Sequence, residues 1–485
     1  MKSFVRISAL LWADVLVAYA FFAMQKYLTD VWKLSFTHAA GILNIWGGIH
    51  MILPVFFLLL VDQFLGNFIM LVISSIAYSA GIGLIAMSTP PVLANSTNTC
   101  KQYKPRCIGQ TQKVLFYTGM ALVAVGMAGN LVSVKPFLRE QQDESDDKAE
   151  TINCLKLPAF TLVVLVAVIG AFALPYVKPW SLRFGIPAIC TAFAALLFFT
   201  GCCCCCCGYR YNIKVDSVAE AEEATIVVRM IPIWITFIVC GIVSSIGNTY
   251  FIEQANHMNR KLGNWKVPLQ ILLLFYKVAC ISFSTLADRF LRRAQKYAPA
   301  VGIAIAMILS ILCCITAAII EKWRLNVIKS QGLLDKPEAD VRMSVYWLLF
   351  QFFLLAGLDT FFQKSVAAFY KDQAPESMRN YLSFFTKGVH GLGFICGVLS
   401  VYVVGKFSGR GERTNWFQYK LNRSRLDRYY WVLAALSSVN LVVFVIVASC
   451  YRYQNREAQG AEEVERERPG QPTNASDEGT SCYFF

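Results

Sequence analysis

The sequence predicts an all-α membrane protein with about twelve transmembrane helices. Of its 485 residues, 56% are hydrophobic and only 16% are charged, and the mean hydropathy is +0.49. These values lie far from the balance of a soluble globular chain. Apolar runs of about 20 residues, the length that crosses a bilayer as a helix, recur along the whole chain. Their continuity excludes a membrane β-barrel, in which apolar and polar residues alternate.

The apolar runs are separated by short polar segments, and each predicted boundary carries an error of about two to four residues. The first run contains Asp14 and no small-residue cleavage site, so we interpret it as a helix and not as a cleaved signal peptide. An even number of spans places both termini on one side of the membrane. The predicted spans are residues 7–26, 39–60, 67–88, 112–134, 157–177, 184–206, 229–252, 267–287, 300–320, 343–363, 381–405 and 429–450.

The predicted orientation rests on one loop, because Lys and Arg are nearly balanced between the two sets of loops and the positive-inside rule does not decide. Asn95 begins an Asn-Ser-Thr glycosylation acceptor, and Cys100 and Cys107 in the same loop are spaced to close a disulfide. Both features favour an external or lumenal loop, which makes the termini cytoplasmic. The charged loop 139–150 and the tail 451–485, expected to be disordered, then also face the cytoplasm.

Six consecutive cysteines end the sixth span. Cysteines at the cytoplasmic end of a span are candidates for S-acylation. The alternative is a repeat expansion that is tolerated because cysteine behaves as a small hydrophobe. We expect no metal site, because consecutive residues of a helix point in different directions and do not converge on one ion. The run comprises Cys202, Cys203, Cys204, Cys205, Cys206 and Cys207.

Ionisable residues inside apolar spans are the natural site candidates, because they are costly to insert and therefore face a cavity or a partner. Asp14, Lys277, Asp359, Lys387 and His390 lie deep enough to qualify. Lys277 and Asp359 alternatively form a structural ion pair. For Lys387 and His390, anion binding and proton relay compete with a lysine that reaches the interface and a histidine bonded to neighbouring backbone.

Motifs at the ends of several spans are specific when they are taken together. In the second half they are Arg229–Trp234, Met343–Asp359, Tyr370–Arg379 and Leu426–Trp431, and in the first half Tyr27–Val31 and Asp62–Asn67. Together they resemble the plant nitrate transporter 1/peptide transporter family of the major facilitator superfamily. The resemblance implies two six-helix bundles that rock around a central site and give alternating access. It divides the chain into an N-terminal bundle 1–207, a cytoplasmic linker 208–228, a C-terminal bundle 229–450 and the tail 451–485.

The chain departs from this family at the first helix. Proton-coupled members carry Glu-x-x-Glu-Arg there, whereas this chain has Asp14 followed by Val17 and Ala18 at the second acid and the arginine. The helix-seven histidine that binds nitrate in relatives is replaced by Ser244 in an ungapped alignment. The resemblance therefore does not carry the family's proton-coupling mechanism or its nitrate ligand over to this chain.

The resemblance implies a secondary transporter of a small polar or anionic solute, such as nitrate, a small peptide or another organic metabolite, without a cofactor. A transporter-like sensor or regulator is the alternative, and no enzyme motif is present. The net charge of +14 is scattered, which favours contact with lipid headgroups or an anionic solute over nucleic acid. No sorting motif separates the plasma membrane from vacuolar or other endomembranes. The candidates for solute binding or coupling are Asp14, Tyr19, Gln25, Lys277, Asp359, Lys387 and His390, with Asp359 at the family's helix-ten acid.

Overall fold

The computed structural model describes most of the membrane-embedded chain. The described residues are 2–90, 92, 108–143, 161, 164–202, 220–293, 297–334, 341–410 and 414–451. The predicted features that lie outside them are Asn95, Cys100, Cys107, Cys203–Cys207, the linker up to residue 219 and the tail from residue 452. Cys202 is the last residue of a helix whose side chains are not described at that end.

Seven helices lie within the described residues of the first half. Local interactions fix where some of these helices begin and end. Ser35 caps the start of the third helix by accepting a hydrogen bond from the backbone N–H of His38 (3.3 Å). A π-helical turn, Val61–Leu65, ends the same helix, and Gly66, with φ of +68°, turns the chain into the next one. The helices are α1 (Lys2–Phe22), α2 (Met24–Asp30), α3 (Phe36–Leu60), α4 (Gly66–Met87), α5 (Gln110–Asp143), α6 (Val164–Tyr176) and α7 (Trp180–Cys202).

Seven further α-helices and four short strands lie within the part of the second half that the structure describes. The strand β1 pairs in parallel with β4, and β2 pairs antiparallel with β3 around Gly263, whose φ is +60°. The helices are α8 (Glu220–Gly247), α9 (Tyr250–Asn256), α10 (Gln270–Arg293), α11 (Ala298–Ser330), α12 (Leu348–Gln373), α13 (Glu376–Ser408) and α14 (Leu426–Cys450). The strands are β1 (Met258–Asn259), β2 (Lys261–Leu262), β3 (Trp265–Lys266) and β4 (Val341–Ser344).

The prediction of an all-α membrane protein is confirmed. Within the described residues, nine helical stretches are long and apolar enough to cross a membrane. One of them, Phe36–Met87, contains both α3 and α4, so the nine stretches account for ten of the predicted spans. The other two predicted spans overlap α1 and α6. We call the membrane side of the N-terminus the terminal side and the opposite side the far side.

The two halves meet along a seam between α3 and α13. Glycines bring the backbones together at its middle, where a Cβ atom on Gly48 would lie only 2.6 Å from the carbonyl oxygen of Gly391. On the terminal side, the Tyr381 hydroxyl donates to the Asp62 carboxylate at the end of the seam. On the far side, Trp265 of β3 donates through Nε1 to the hydroxyl of Tyr176 on α6 at 2.5 Å. Contacts between the halves therefore exist near both membrane surfaces.

A buried polar network holds the far side of the second half together. Glu321 and Arg324 on α11 are both fully buried and form an ion pair, with Arg324 Nη2 and Glu321 Oε1 2.7 Å apart. Arg324 also donates through Nη1 to Asn422 (2.9 Å), which precedes α14. Gln254 of α9 donates to Glu321 Oε2 (2.6 Å) and accepts from Gln351 of α12 (3.1 Å). One ion pair thus joins four segments of the C-terminal bundle.

Candidate functional site

Asp359 lies on α12 and is held by two hydroxyl groups from neighbouring helices. Ser244 of α8 donates through Oγ to Asp359 Oδ1 at 2.5 Å. The Tyr276 hydroxyl of α10 donates to Asp359 Oδ2 at 2.6 Å. The aspartate is only partly buried. Its carboxylate is therefore fixed in position by α8 and α10 while part of the residue stays accessible.

Asp14 lies on α1, in the other half of the molecule. Its Oδ1 accepts a hydrogen bond from the Tyr78 hydroxyl on α4 at 2.6 Å. The charge of Lys277 on α10 interacts electrostatically with the same carboxylate. The sequence alone suggested Asp359 as an alternative partner for Lys277. In the structure, both Asp359 oxygens accept from hydroxyls, and the attractive charge interaction of Asp14 is with Lys277.

One helix therefore links the two candidate carboxylates. Tyr276 and Lys277 are consecutive residues of α10, so their side chains leave the helix in directions about 100° apart. Tyr276 donates a hydrogen bond to Asp359 in its own half, whereas the charge of Lys277 interacts with that of Asp14 across the boundary between the halves. A shift of one half relative to the other must change the second contact and can leave the first intact.

A cluster of basic side chains lies beside the seam between α3 and α13. Lys387 of α13 places its Nζ 5.1 Å from the centre of the Phe384 ring. It interacts electrostatically with Lys135 of α5 and with His50 of α3. His50 is buried, whereas Lys135 is exposed and Lys387 is half-buried. We refer to Lys387, Lys135 and His50 as the basic cluster.

Two members of the basic cluster were missed by the sequence analysis. His50 is an ionisable residue inside the predicted span 39–60, so the insertion-cost criterion that selected Asp14 would also have selected it. Lys135 lies one residue beyond the predicted end of the fourth span, but α5 continues as a helix to Asp143. The underestimated length of that helix removed Lys135 from the candidates.

His390 lies one helical turn from Lys387 but faces a different neighbourhood. Its ring centre is 5.3 Å from that of Phe362 on α12 and 5.9 Å from that of Phe394 on α13. Its Nδ1 atom is buried and has no hydrogen-bond partner among the described residues. The alternative that Nδ1 bonds to neighbouring backbone is therefore not what the structure shows.

The remaining candidates of the first span have packing contacts. Tyr19 is buried beside Gly170 of α6. Gln25 is fully buried and donates through Nε2 to the carbonyl oxygen of Phe36 (3.1 Å), which ties the start of α3 to α2. Lys26, a neighbouring polar residue, pairs with Asp30 one turn away at 2.6 Å. Consecutive residues of α10 thus interact with Asp359 and with Asp14, whereas Gln25 bonds to the start of α3.

Comparisons with known proteins agree with this architecture. The family model described as POT family matches residues 68–205 and 202–417. Protein NRT1/PTR FAMILY 5.5 of Arabidopsis thaliana is 31% identical over 538 residues, covering 95% of this chain and 99% of the relative. Protein NRT1/PTR FAMILY 5.12 of the same plant is 27% identical, with 91% of each chain covered.

Solved structures share the fold at low sequence identity. An autoinhibited POT family peptide transporter superposes with a TM-score of 0.66 at 14% identity, covering 93% of this chain and 98% of the other. A peptide transporter POT in complex with sulfate gives a TM-score of 0.62 at 12% identity, covering 92% and 94%. The predicted resemblance is confirmed: this chain is a multi-pass membrane protein of major facilitator type and belongs to the POT family of secondary transporters, which are not enzymes.

Proposed function

We propose that this transporter carries a small anionic solute by alternating access, and that the basic cluster holds the anionic group. The observation that carries this proposal is that both halves contribute to the cluster. His50 and Lys135 come from α3 and α5 of the first half, and Lys387 comes from α13 of the second. A solute bound there contacts both bundles, as a solute must if its binding is to be coupled to their relative movement.

Electrostatics favours an anion at this position. The charges of Lys387 and Lys135 repel each other, and an anion between them interacts favourably with both. The Lys387 ammonium lies over the Phe384 ring, with Nζ 5.1 Å from the ring centre, so that an aromatic face supports a positive charge at this position. Nitrate, a carboxylate or a peptide C-terminus each offers oxygen acceptors to such a site.

The carboxylates are proposed to serve a second task. Asp359 is fixed by Ser244 and Tyr276 and is partly accessible, so it suits a cationic group of the solute or a coupling proton. Asp14, which interacts with Lys277 across the halves, suits a role in the conformational change. The absence of the family's second acid and arginine after Asp14 supports weaker proton coupling than in relatives that have them.

The test is solute uptake into proteoliposomes that contain the purified transporter. Uptake of nitrate, a dicarboxylate and a dipeptide is measured for the wild type and for Lys387→Gln. Lys406→Gln is the matched control, because Lys406 is an exposed residue of the same helix. Loss of a charge-assisted hydrogen bond of about 1.5–3 kcal/mol predicts at least a tenfold lower uptake at subsaturating solute for Lys387→Gln. Unchanged uptake in that variant would exclude the cluster as the solute site. Solute binding without any flux in the wild type would identify a sensor and not a carrier.

A further inference from the structure

A groove of about 680 Å³ opens between α13 and α14 on the far side of the membrane. Its floor is apolar and includes Val404, Phe407 and Val432. Its rim is polar, with the Ser408 hydroxyl at the end of α13 and Arg428 in the first turn of α14. The groove lies far along α13 from the basic cluster and is separate from the proposed solute site.

The apolar floor faces the lipid. Phe407 is 62% exposed and Val432 is 39% exposed, although both belong to helices that cross the membrane. Farther along the same two helices, Tyr402 and Val439 are 66% and 63% exposed. Side chains exposed on a membrane-spanning helix contact acyl chains. The lower part of the groove is therefore in the hydrocarbon region or at its edge.

The rim lies at the depth of the lipid headgroups. The α13 helix ends at Ser408 and α14 begins at Leu426, so the groove is at the point where both helices leave the membrane. Trp416 lines the groove at this level, and Phe407, the residue before the last one of α13, lies at the boundary between the floor and the rim. Aromatic residues are enriched at the membrane–water interface, where an apolar ring and polar neighbours are both satisfied.

Two arginines stand over these rings. The Cζ atom of Arg428 lies 5.4 Å from the centre of the Trp416 ring, and that of Arg410 lies 4.9 Å from the centre of the Phe407 ring. A guanidinium that stacks on a ring uses its face and keeps its N–H donors, which lie in its plane, for an anion. The contacts with these two rings thus position the N–H donors of both arginines beside the groove.

The nearest acid on α14 does not neutralise this positive rim. Asp427 precedes Arg428, but its two oxygens accept hydrogen bonds from Arg425, at 3.0 Å from Nε and 2.9 Å from Nη2. The pair Arg425–Asp427 is therefore already balanced. Arg428 and Arg410 contribute two positive charges beside the apolar floor of the groove.

We propose that this groove binds an anionic phospholipid, with its phosphate between Arg428 and Arg410 and an acyl chain along Val404, Phe407 and Val432. An amphiphile matches both parts of the groove at once. A soluble anion would use the arginines but leave the apolar floor in contact with bulk lipid. A zwitterionic lipid would bring a further positive charge to Arg428 and Arg410. The inference is independent of which solute is transported.

The test is lipid titration of the purified full chain by native mass spectrometry. Phosphatidylglycerol and phosphatidylcholine with the same acyl chains are compared for wild type, Arg428→Gln, Arg410→Gln and the double variant. A basic residue near an anionic lipid surface contributes about 1 kcal/mol, so each change should weaken phosphatidylglycerol binding about fivefold and leave phosphatidylcholine binding unchanged. Lys406→Gln removes one positive charge from α13 at a residue that does not line the groove and should leave both unchanged. Arg410 does not line the groove either, but its guanidinium lies over the ring of Phe407, which does.

Equal affinity of the wild type for the two lipids would overturn the proposal, as would an equal loss of phosphatidylglycerol binding in Lys406→Gln and the arginine variants. Competition by inorganic phosphate to the same extent as by the lipid would show that the rim binds phosphate alone and would also overturn it. Arg410 is exposed at the end of α13, so Arg410→Gln tests the proposal even if Arg428→Gln does not fold. Arg428→Lys keeps the charge without the planar fork and should give an intermediate affinity.

Discussion

The buried pair Glu321–Arg324 provides the sharpest stability prediction. Both side chains are fully buried, and Arg324 makes three hydrogen bonds within the network: two to Glu321, each at 2.7 Å, and one to Asn422 at 2.9 Å. Glu321→Gln keeps the volume of the side chain but leaves the guanidinium without its counter-charge. Removal of one partner of a buried pair costs about 3–5 kcal/mol, because the remaining charge is uncompensated.

The double change Glu321→Gln with Arg324→Met separates the charge from the packing. It removes both charges and keeps an amide beside Gln254. Replacement of a complete buried pair is often close to neutral, so the double variant should recover most of the loss. The matched control is Asp288→Asn, which breaks the partly exposed pair of Asp288 with Lys364 (2.9 Å) in the same bundle. That change should cost no more than about 1 kcal/mol.

The assay is denaturant titration of the purified protein in mixed micelles, which measures the free energy of unfolding. The expected order of stability is wild type, Asp288→Asn and the double variant close together, with Glu321→Gln well below them. If Glu321→Gln lowers the free energy of unfolding no more than Asp288→Asn does, the conclusion that this ion pair is fully buried is wrong. Failure of the double variant to recover would show that Arg324 contributes packing and not charge balance.

Three further predictions concern the site and the topology. Asp359→Asn should lower uptake without lowering the amount of folded protein, because the amide keeps the volume of the side chain and loses its charge. Full uptake by the double variant Asp359→Asn with Lys277→Met would exclude both residues from the solute site. Uptake measured between about pH 5 and 8 should vary less steeply than in relatives with the complete first-helix motif; a strong proton-driven current that survives replacement of Asp14 and His390 would contradict this. A cysteine substituted for Asn95 should react with an impermeant reagent from the side opposite to one placed in the loop after α5, and equal labelling from one side would reject the topology.

Hydropathy was sufficient to predict the membrane-spanning helices, because the cost of burying polar backbone and side chains in lipid fixes where they lie. It underestimated their lengths. The fourth and ninth spans were predicted to end at residues 134 and 320, whereas α5 ends at Asp143 and α11 at Ser330. Helical hydrogen bonds continue past the apolar run where polar side chains find partners within the protein. The Glu321–Arg324 network begins immediately after the predicted end of the ninth span for this reason.

The sequence analysis selected Lys387 and the carboxylates as candidates, but it missed His50 and Lys135 and did not predict which groups interact. Insertion cost selects Asp14, Lys277 and Asp359 from the sequence alone. Which carboxylate meets Lys277 depends on how α10 packs between the two halves, and no local pattern encodes that packing. Ser244 illustrates the same limit: the sequence analysis noted it only as the position of a missing histidine, and in the structure its hydroxyl binds Asp359.

The pairing of Asp14 with Lys277 has a consequence for alternating access. The interaction joins α1 of the first half to α10 of the second, whereas Tyr276 binds Asp359 within one half. Under the proposed alternating access, any state that separates α1 from α10 would weaken the interaction of Asp14 with Lys277 and leave the hydrogen bond of Tyr276 to Asp359 intact. A solute can shift that equilibrium only by binding the two states with different affinity.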